Sequence, residues 1–242
     1  MPDADHLFQI RDESTAEYLS KDMATAFHRT TVQLLFMSAQ ARRDVQTSVA
    51  FLCSRVKTPD LDDWGKLKRV LKYLNGTTGD KLTISAGSEK AIECLDWFVD
   101  VAFAAHPDMK GHTGMAIKSH GGTGAPLAGS LKQKLNTSSS TTCELVAVEQ
   151  ILLVLLWMPL IMKEQGIEVC SNVLHQDNKS AVLVEENGKH SSGKRTCALD
   201  IQYFMVTDQV EHGNLSITYY PTDDMVGDFM SKGLIGAKFL KF

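Results

Sequence analysis

Four acidic residues, Asp100, Glu144, Asp177 and Asp228, have the types and the order along the chain to hold hard divalent cations. Hydrolysis of a phosphodiester with two Mg2+ ions roughly 3.5–4 Å apart needs several convergent oxygen ligands. A strand aspartate, a helix glutamate, a strand-end aspartate and an aspartate on a last helix would supply them from neighbouring elements of one sheet. Taken singly, each has a plainer reading. Asp100 interrupts the apolar run CLDWFVDVAF, and an edge position facing water suits it as well as a ligand role. Thr141-x-x-Glu144 ahead of an apolar run is a capping box, in which the glutamate only returns a hydrogen bond to the helix start. Asp177, between VLHQ and NKSAVLVEEN, is equally a helix N-cap or a ligand at the carboxyl end of a strand. Asp228 alone reads as a surface charge.

The elements that must position these groups follow from periodicity. A helix is expected over residues 33–51. In WGKLKRVLKYL, Trp64, Leu67, Leu71 and Leu74 share one helical face, Lys66, Arg69 and Lys72 share another, and Asn75-Gly76 ends the helix. Residues 81–85 alternate as a strand does. Residues 94–103 are a stronger strand, with Leu95, Trp97, Val99 and Val101 on one face. Strands at 112–119 and 125–133 follow. Then come a long helix over 141–165, a strand at 169–176, helices at 178–186 and 199–211, a strand at 215–220 and a helix at 223–232. Three strands followed by alternating helices and strands make a mixed α/β sheet.

The net charge of −4 argues against an ordinary nucleic-acid binder, since most such domains are basic. A metal-dependent nuclease must nevertheless carry its own acidic cluster, which bound cations neutralise. Five dispersed cysteines without a CxxC pair suit a reducing cytosol or nucleus, and the polar N-terminus does not suit secretion. The apolar stretch ILLVLLWMPLIM is short for a bilayer and broken by Pro159, which favours a buried core helix and no membrane partner.

Six segments resemble copia-type retrotransposon Pol polyproteins, in that family's order. WFVDVAFAAHPDMKGHTG, SLKQKLNTSSSTTCEL, HQDNKSAVLVEENG and YYPTDDMVGDFMSKGL resemble its RNase H region. ARRDVQTSVAFLCSRV and DWGKLKRVLKYLNGT resemble the end of its reverse transcriptase. The resemblance implies an RNase H-like fold, a five-stranded mixed sheet flanked by helices, preceded by a mainly helical thumb/connection segment. It divides the chain into a reverse-transcriptase remnant (1–90), an RNase H-like domain (91–235) and a C-terminal tail (236–242). It makes Asp100, Glu144, Asp177 and Asp228 the catalytic and metal ligands, with two Mg2+ ions, or Mn2+ in their place, as cofactor. The implied activity is cleavage of the RNA strand of RNA–DNA hybrids. The implied partners are the hybrid and the reverse-transcriptase core of a parent polyprotein, which this chain does not carry. Lys66, Arg69 and Lys72 become a phosphate-tracking stripe, while Lys132, Lys134, Thr141 and Asn178 become hybrid contacts.

The departures from the family pattern bear on activity. STTCEL replaces STEAEL, Val101-Ala102 replaces a small pair, and Ala198 stands where a histidine is usual. Gly227 replaces an alanine beside Asp228, Pro159 enters a normally continuous helix, and Gly233 replaces a proline. The alternative reading is therefore a degenerate, inactive RNase H-fold remnant that at most binds nucleic acid. A proofreading exonuclease would need a carboxylate at Ala102, and an integrase would order its acids Asp, Asp, Glu.

Overall fold

The computed structural model of the chain describes residues 1–4, 6–188 and 204–242. The N-terminal segment folds as three helices, α1 (Lys21–Gln40), α2 (Gln46–Arg55) and α3 (Leu61–Gly76). One continuous helix over 33–51 is thus not formed, because the chain turns at Ala41–Val45. Helix α1 also begins earlier than its apolar pattern suggests, where Ser20 accepts a hydrogen bond from the Met23 N–H. Phe27, Leu34, Val49, Phe51, Leu52, Leu67 and Val70 form the core of this segment. Leu71, expected inside, is 40% exposed, since α3 turns its Asp63, Leu67 and Val70 side inward.

The second part is a five-stranded sheet of β1 (Cys94–Ala102), β2 (His112–Ser119), β3 (Leu127–Lys132), β4 (Ser171–Gln176) and β5 (Ser216–Tyr219), in the spatial order β3-β2-β1-β4-β5. The first three strands are antiparallel, and β4 and β5 run parallel to β1. Helices α4 (Ser140–Glu164), α5 (Lys179–Asn187), α6 (Phe204–Glu211), α7 (Asp228–Ser231) and α8 (Gly236–Lys241) complete the fold. This is the expected mixed RNase H-like arrangement with a helical segment ahead of it. The segment 81–85 is not a strand and contributes only a bridge from Ser85 to Thr123. The helix expected over 223–232 is a 3-10 turn at Thr222–Asp224 followed by the short α7. The terminal segment 236–242 carries α8, whose Phe239 lies against Tyr73 and Phe229.

Alternation along β1 sets up the site. Leu95, Trp97, Val99 and Val101 enter the main core beside Ala147, Ile151 and Leu155 of α4. Asp96, Phe98 and Asp100 point to the other face, which α7 covers. Helix α4 runs unbroken through Pro159 and is, by length and composition, apolar enough to cross a membrane. As expected of a core helix it buries Ile151, Leu152 and Leu155, but on one side only: Leu153, Trp157 and Leu160 are 60–66% exposed.

The two parts meet along β3 and β2. Arg43 donates to the carbonyls of Pro126 and Ala128, Gln46 donates to Ala128, and Thr47 donates to the Phe229 carbonyl. Phe8 packs on the rings of His106 and His112.

Candidate metal centre

Asp100 lies on the central strand and is 2% exposed, so an edge position facing water is ruled out. In the parallel ladder Phe98 pairs with His175, which places Asp100 and Asp177 two residues beyond one pair and on one face. The rings of Phe98 and His175 stack at 4.7 Å directly below them. Adjacent strands lie about 4.8 Å apart, so this register alone brings two carboxylates together. Asp177 is not the cap of α5, because Asn178 accepts from the Ser180 and Ala181 N–H groups and leaves the aspartate outside the helix.

Glu144 arrives from the first turns of α4. The expected capping box is not formed. Ser139 is the N-cap and accepts from the Thr142 N–H, so Glu144 lies too far into the helix to return a bond to its start. Glu144 is buried, and its Oε2 has no hydrogen-bond partner among the described residues. Burial, together with the charges of Asp100, Asp177 and Glu185, pushes its carboxyl well above the usual range, with Lys232 opposing. Asp100, Glu144 and Asp177 each offer an oxygen within 4.8 Å of the other two. An all-oxygen set of three carboxylates, one with an unsatisfied buried oxygen, fits a hard divalent cation.

Asp228 stands next to this triad rather than inside it. It is buried at the start of α7, not exposed, and its carboxyl is raised to about 6 by burial and by Asp100. Lys232, one helical turn on, bridges the two: its Nζ lies 2.5 Å from Asp228 and 3.2 Å from Asp100. The Ser231 hydroxyl donates to Asp100 Oδ2, the oxygen that Lys232 approaches.

Gly227 explains how α7 comes so close. A Cβ there would stand 2.8 Å from the Asp100 nitrogen and 2.9 Å from its Cβ. A Cβ on Gly114, the strand partner of Asp100, would stand 2.4 Å from both the Gly227 carbonyl oxygen and the Ser231 nitrogen. Both positions need glycine for close approach, so Gly227 is a packing requirement and not only a loss of helix propensity.

The expected nucleic-acid contacts are scattered. Lys66 turns inward, donating to the Gln9 carbonyl with its ammonium 4.4 Å from the centre of the Phe51 ring. Arg69 and Lys72 are exposed and line a groove with Lys68. Lys132 pairs with Asp108 at 2.9 Å, Lys134 is exposed, and Thr141 is half-buried in the first turn of α4. Ala198 lies outside the described residues.

Sequence reasoning missed Lys232, Ser231 and Glu185. The spacing of four from Asp228 to Lys232 was a readable signal of an ion pair on one helix face. Glu185 is fully buried, receives a hydrogen bond from Gln176 beside Asp177, and carries a carboxyl raised first of all by burial. Nothing in the run VEEN separated it from its exposed neighbour Glu186.

No family profile matches the chain. It is 26% identical over 207 residues to the retrovirus-related Pol polyprotein from transposon TNT 1-94 of Nicotiana tabacum, covering 85% of this chain and 15% of that protein. It is 29% and 27% identical, each over 223 residues, to the retrovirus-related Pol polyproteins from transposons RE2 and RE1 of Arabidopsis thaliana, covering 89% of this chain and 14% of each. The resemblance to retrotransposon Pol polyproteins is thereby borne out. The chain spans 14–15% of the length of these relatives. A solved structure of the foamy viral protease-reverse transcriptase in complex with RNA/DNA hybrid aligns with 84% of this chain and 27% of that one, at 12% identity and a TM-score of 0.47.

Proposed function

We propose that the chain is a divalent-metal-dependent nuclease that cleaves the RNA strand of RNA–DNA hybrids, the RNase H portion of a retrotransposon Pol polyprotein. The observation that carries this reading is the convergence of Asp100, Glu144 and Asp177 from a strand, a helix and a strand end, with the Glu144 Oε2 buried and unpartnered. Hard carboxylate oxygens favour Mg2+, with Mn2+ able to substitute. When bound, a pair of such ions supplies activation of a water and neutralisation of charge at the phosphate.

The residues divide the remaining work. Asp100 belongs to the triad with Glu144 and Asp177 and is tied through Lys232 to Asp228, so Asp100, with Asp177, would be the shared ligand. Glu144 would hold the cation nearer the leaving group and Asp228 would complete the side that activates water, the products expected being 5′-phosphate and 3′-hydroxyl ends. Lys232 neutralises Asp100 and Asp228 and keeps both carboxylates in place. Of the basic residues, Arg69, Lys72 and Lys134 are exposed and suited to the hybrid backbone, while Lys66 is committed to its own fold. Division into a reverse-transcriptase remnant over 1–90 and an RNase H-like domain from 91 agrees with two separate hydrophobic cores.

The second reading, an inactive remnant, is weakened where it touches described residues. Gly227 is required by the approach of α7, and α4 passes through Pro159 unbroken. Its remaining support is Ala198, together with the departures at Val101-Ala102, Thr142-Cys143 and Gly233. Cleavage of a labelled RNA strand in an RNA–DNA hybrid, with Mg2+ and with chelator, tests the choice. Metal-dependent cleavage that Asp100→Asn abolishes is expected. Equally negligible cleavage by both proteins would overturn the enzyme reading.

A further inference from the structure

The exposed side of α4 carries Leu153, Val154, Trp157, Leu160 and Ile161, between 36% and 66% exposed. These residues form one stripe, since steps of three and four along a helix share a face. Counted from Trp157 the stripe occupies −4, −3, 0, +3 and +4, a pattern that reads the same in both directions. From Gln150 to Met162 the helix carries no charged residue. The buried residues of the same stretch, Ile151, Leu152, Leu155 and Met162, already fill the main core, and the stripe is left uncovered by the described residues.

We propose that this face joins two copies of the chain, with α4 packed antiparallel on its counterpart about a two-fold axis at Trp157. A two-fold interface must complement itself, and a palindromic stripe does. Antiparallel pairing sets Leu153 and Val154 of one copy against Ile161 and Leu160 of the other, with the two Trp157 rings at the centre. The same pairing brings Glu149 of each copy to the flank where Lys163 of the other lies, an opposite-charge pair at each end. The stripe exposes roughly 500 Å² per copy, so that two copies bury about 1,000 Å², the lower end of what a specific association needs. The dimer is therefore weak and concentration-dependent. It leaves the metal centre open, because Glu144 lies nine residues below Leu153, about 14 Å along the helix.

Sedimentation velocity of the full chain over a concentration series tests this, with circular dichroism confirming that each variant is folded. The wild type is expected to pass from monomer to dimer at micromolar concentration. Trp157→Glu and Leu160→Gln should each weaken the dimer at least tenfold. Glu149→Lys and Lys163→Glu should each weaken it severalfold, and the double reversal should restore it. A wild type that stays monomeric at several hundred micromolar overturns the proposal, as does association that Trp157→Glu leaves unchanged. Monomer in solution combined with flotation on phosphatidylcholine vesicles would assign the stripe to a lipid surface instead, and also overturns it.

Discussion

The side-chain amide of Asn172 donates to the carbonyl of Leu155 at 3.3 Å, the carbonyl that Pro159, four residues on, has no N–H to bond. A proline inside a helix removes one i→i−4 hydrogen bond and normally breaks or kinks the helix there. Here the neighbouring strand supplies the missing donor. Asn172 also accepts from the indole N–H of the fully buried Trp97 at 2.8 Å, so one side chain ties α4, β1 and β4 together.

Asn172→Ala would therefore strand a buried indole N–H and a helical carbonyl at once. Each unsatisfied buried group costs about 1–3 kcal/mol, so a loss of roughly 2–6 kcal/mol is expected from urea unfolding. Pro159→Ala in the same background should recover part of it, because an alanine N–H can bond the Leu155 carbonyl itself. A loss below about 0.5 kcal/mol for Asn172→Ala, inside the range of ordinary surface changes, would show that the bond does not support the helix.

The second prediction concerns the two glycines that let α7 reach Asp100. Gly114→Ala forces a Cβ to within 2.4 Å of backbone atoms on α7, a clash no rotamer relieves. Gly227→Ala clashes less, at 2.8 Å from the Asp100 nitrogen. Overpacking of this kind typically costs about 1–3 kcal/mol, and Gly114→Ala should be the worse of the two. Both should lower hybrid cleavage further than their stability loss explains, because α7 carries Asp228 and Ser231 and ends at Lys232. Wild-type cleavage by a folded Gly114→Ala would refute the link between this packing and the site.

The element order and most strand positions could be read from the chain because they depend on local alternation. Strand β2 occupies the expected residues 112–119, and Leu95, Trp97, Val99 and Val101 enter the core together. The remainder depends on partners distant in sequence. That Pro159 is tolerated follows from Asn172 on β4, and that Gly227 is needed follows from Asp100 on β1. Lys66 shared its spacing with Arg69 and Lys72, yet the Gln9 carbonyl and the Phe51 ring took it inward. The family's motifs singled out four carboxylates, of which Asp100, Glu144 and Asp177 converge with Asp228 beside them, whereas their single-residue readings as caps, edge and surface charges fail against the packing.

A third prediction follows from a buried histidine pair. His106 Nε2 and His112 Nδ1 are 2.9 Å apart, His112 Nε2 meets the Ser130 hydroxyl at 2.7 Å, and Phe8 covers both rings. Burial, reinforced by Lys132, lowers His106 to about 4 and His112 to about 3. Below the unfolded value of about 6.5 the unfolded chain binds protons that the folded chain refuses, so stability falls as pH drops. The fall runs from about pH 6.5 to about 4 for His106 and on to about 3 for His112, at up to about 1.4 kcal/mol per pH unit for each. Asp228, raised to about 6, Asp3, raised to about 7, and the buried Glu144 and Glu185, both raised, work in the opposite direction, favouring the fold as their carboxyls protonate. The histidine contribution is therefore read as the difference between wild type and variant. From pH 7 to pH 4, denaturation midpoints for His106→Gln and His112→Gln should improve relative to the wild type. Parallel curves would mean that the folded chain protonates the pair as readily as the unfolded chain does, so that burial does not hold it neutral.

The last prediction ties the metal centre to pH. Without a cation, the raised carboxyl of Glu144 retains its proton well above the usual carboxylate range, because burial and three neighbouring acids disfavour its charge. A cation must displace that proton, so affinity should rise with pH until Glu144 ionises unaided. Thermal unfolding with added Mg2+ should accordingly give a larger stabilisation at pH 8 than at pH 6. Glu144→Gln mimics the protonated acid. It should unfold at least as late as the wild type when no metal is present, yet gain little from Mg2+. Asp100→Asn should lose the Mg2+ response as well, and should also loosen Lys232 and Ser231, lowering the metal-free midpoint. If Glu144→Gln instead kept the full, pH-dependent Mg2+ response, the triad would not be the cation site.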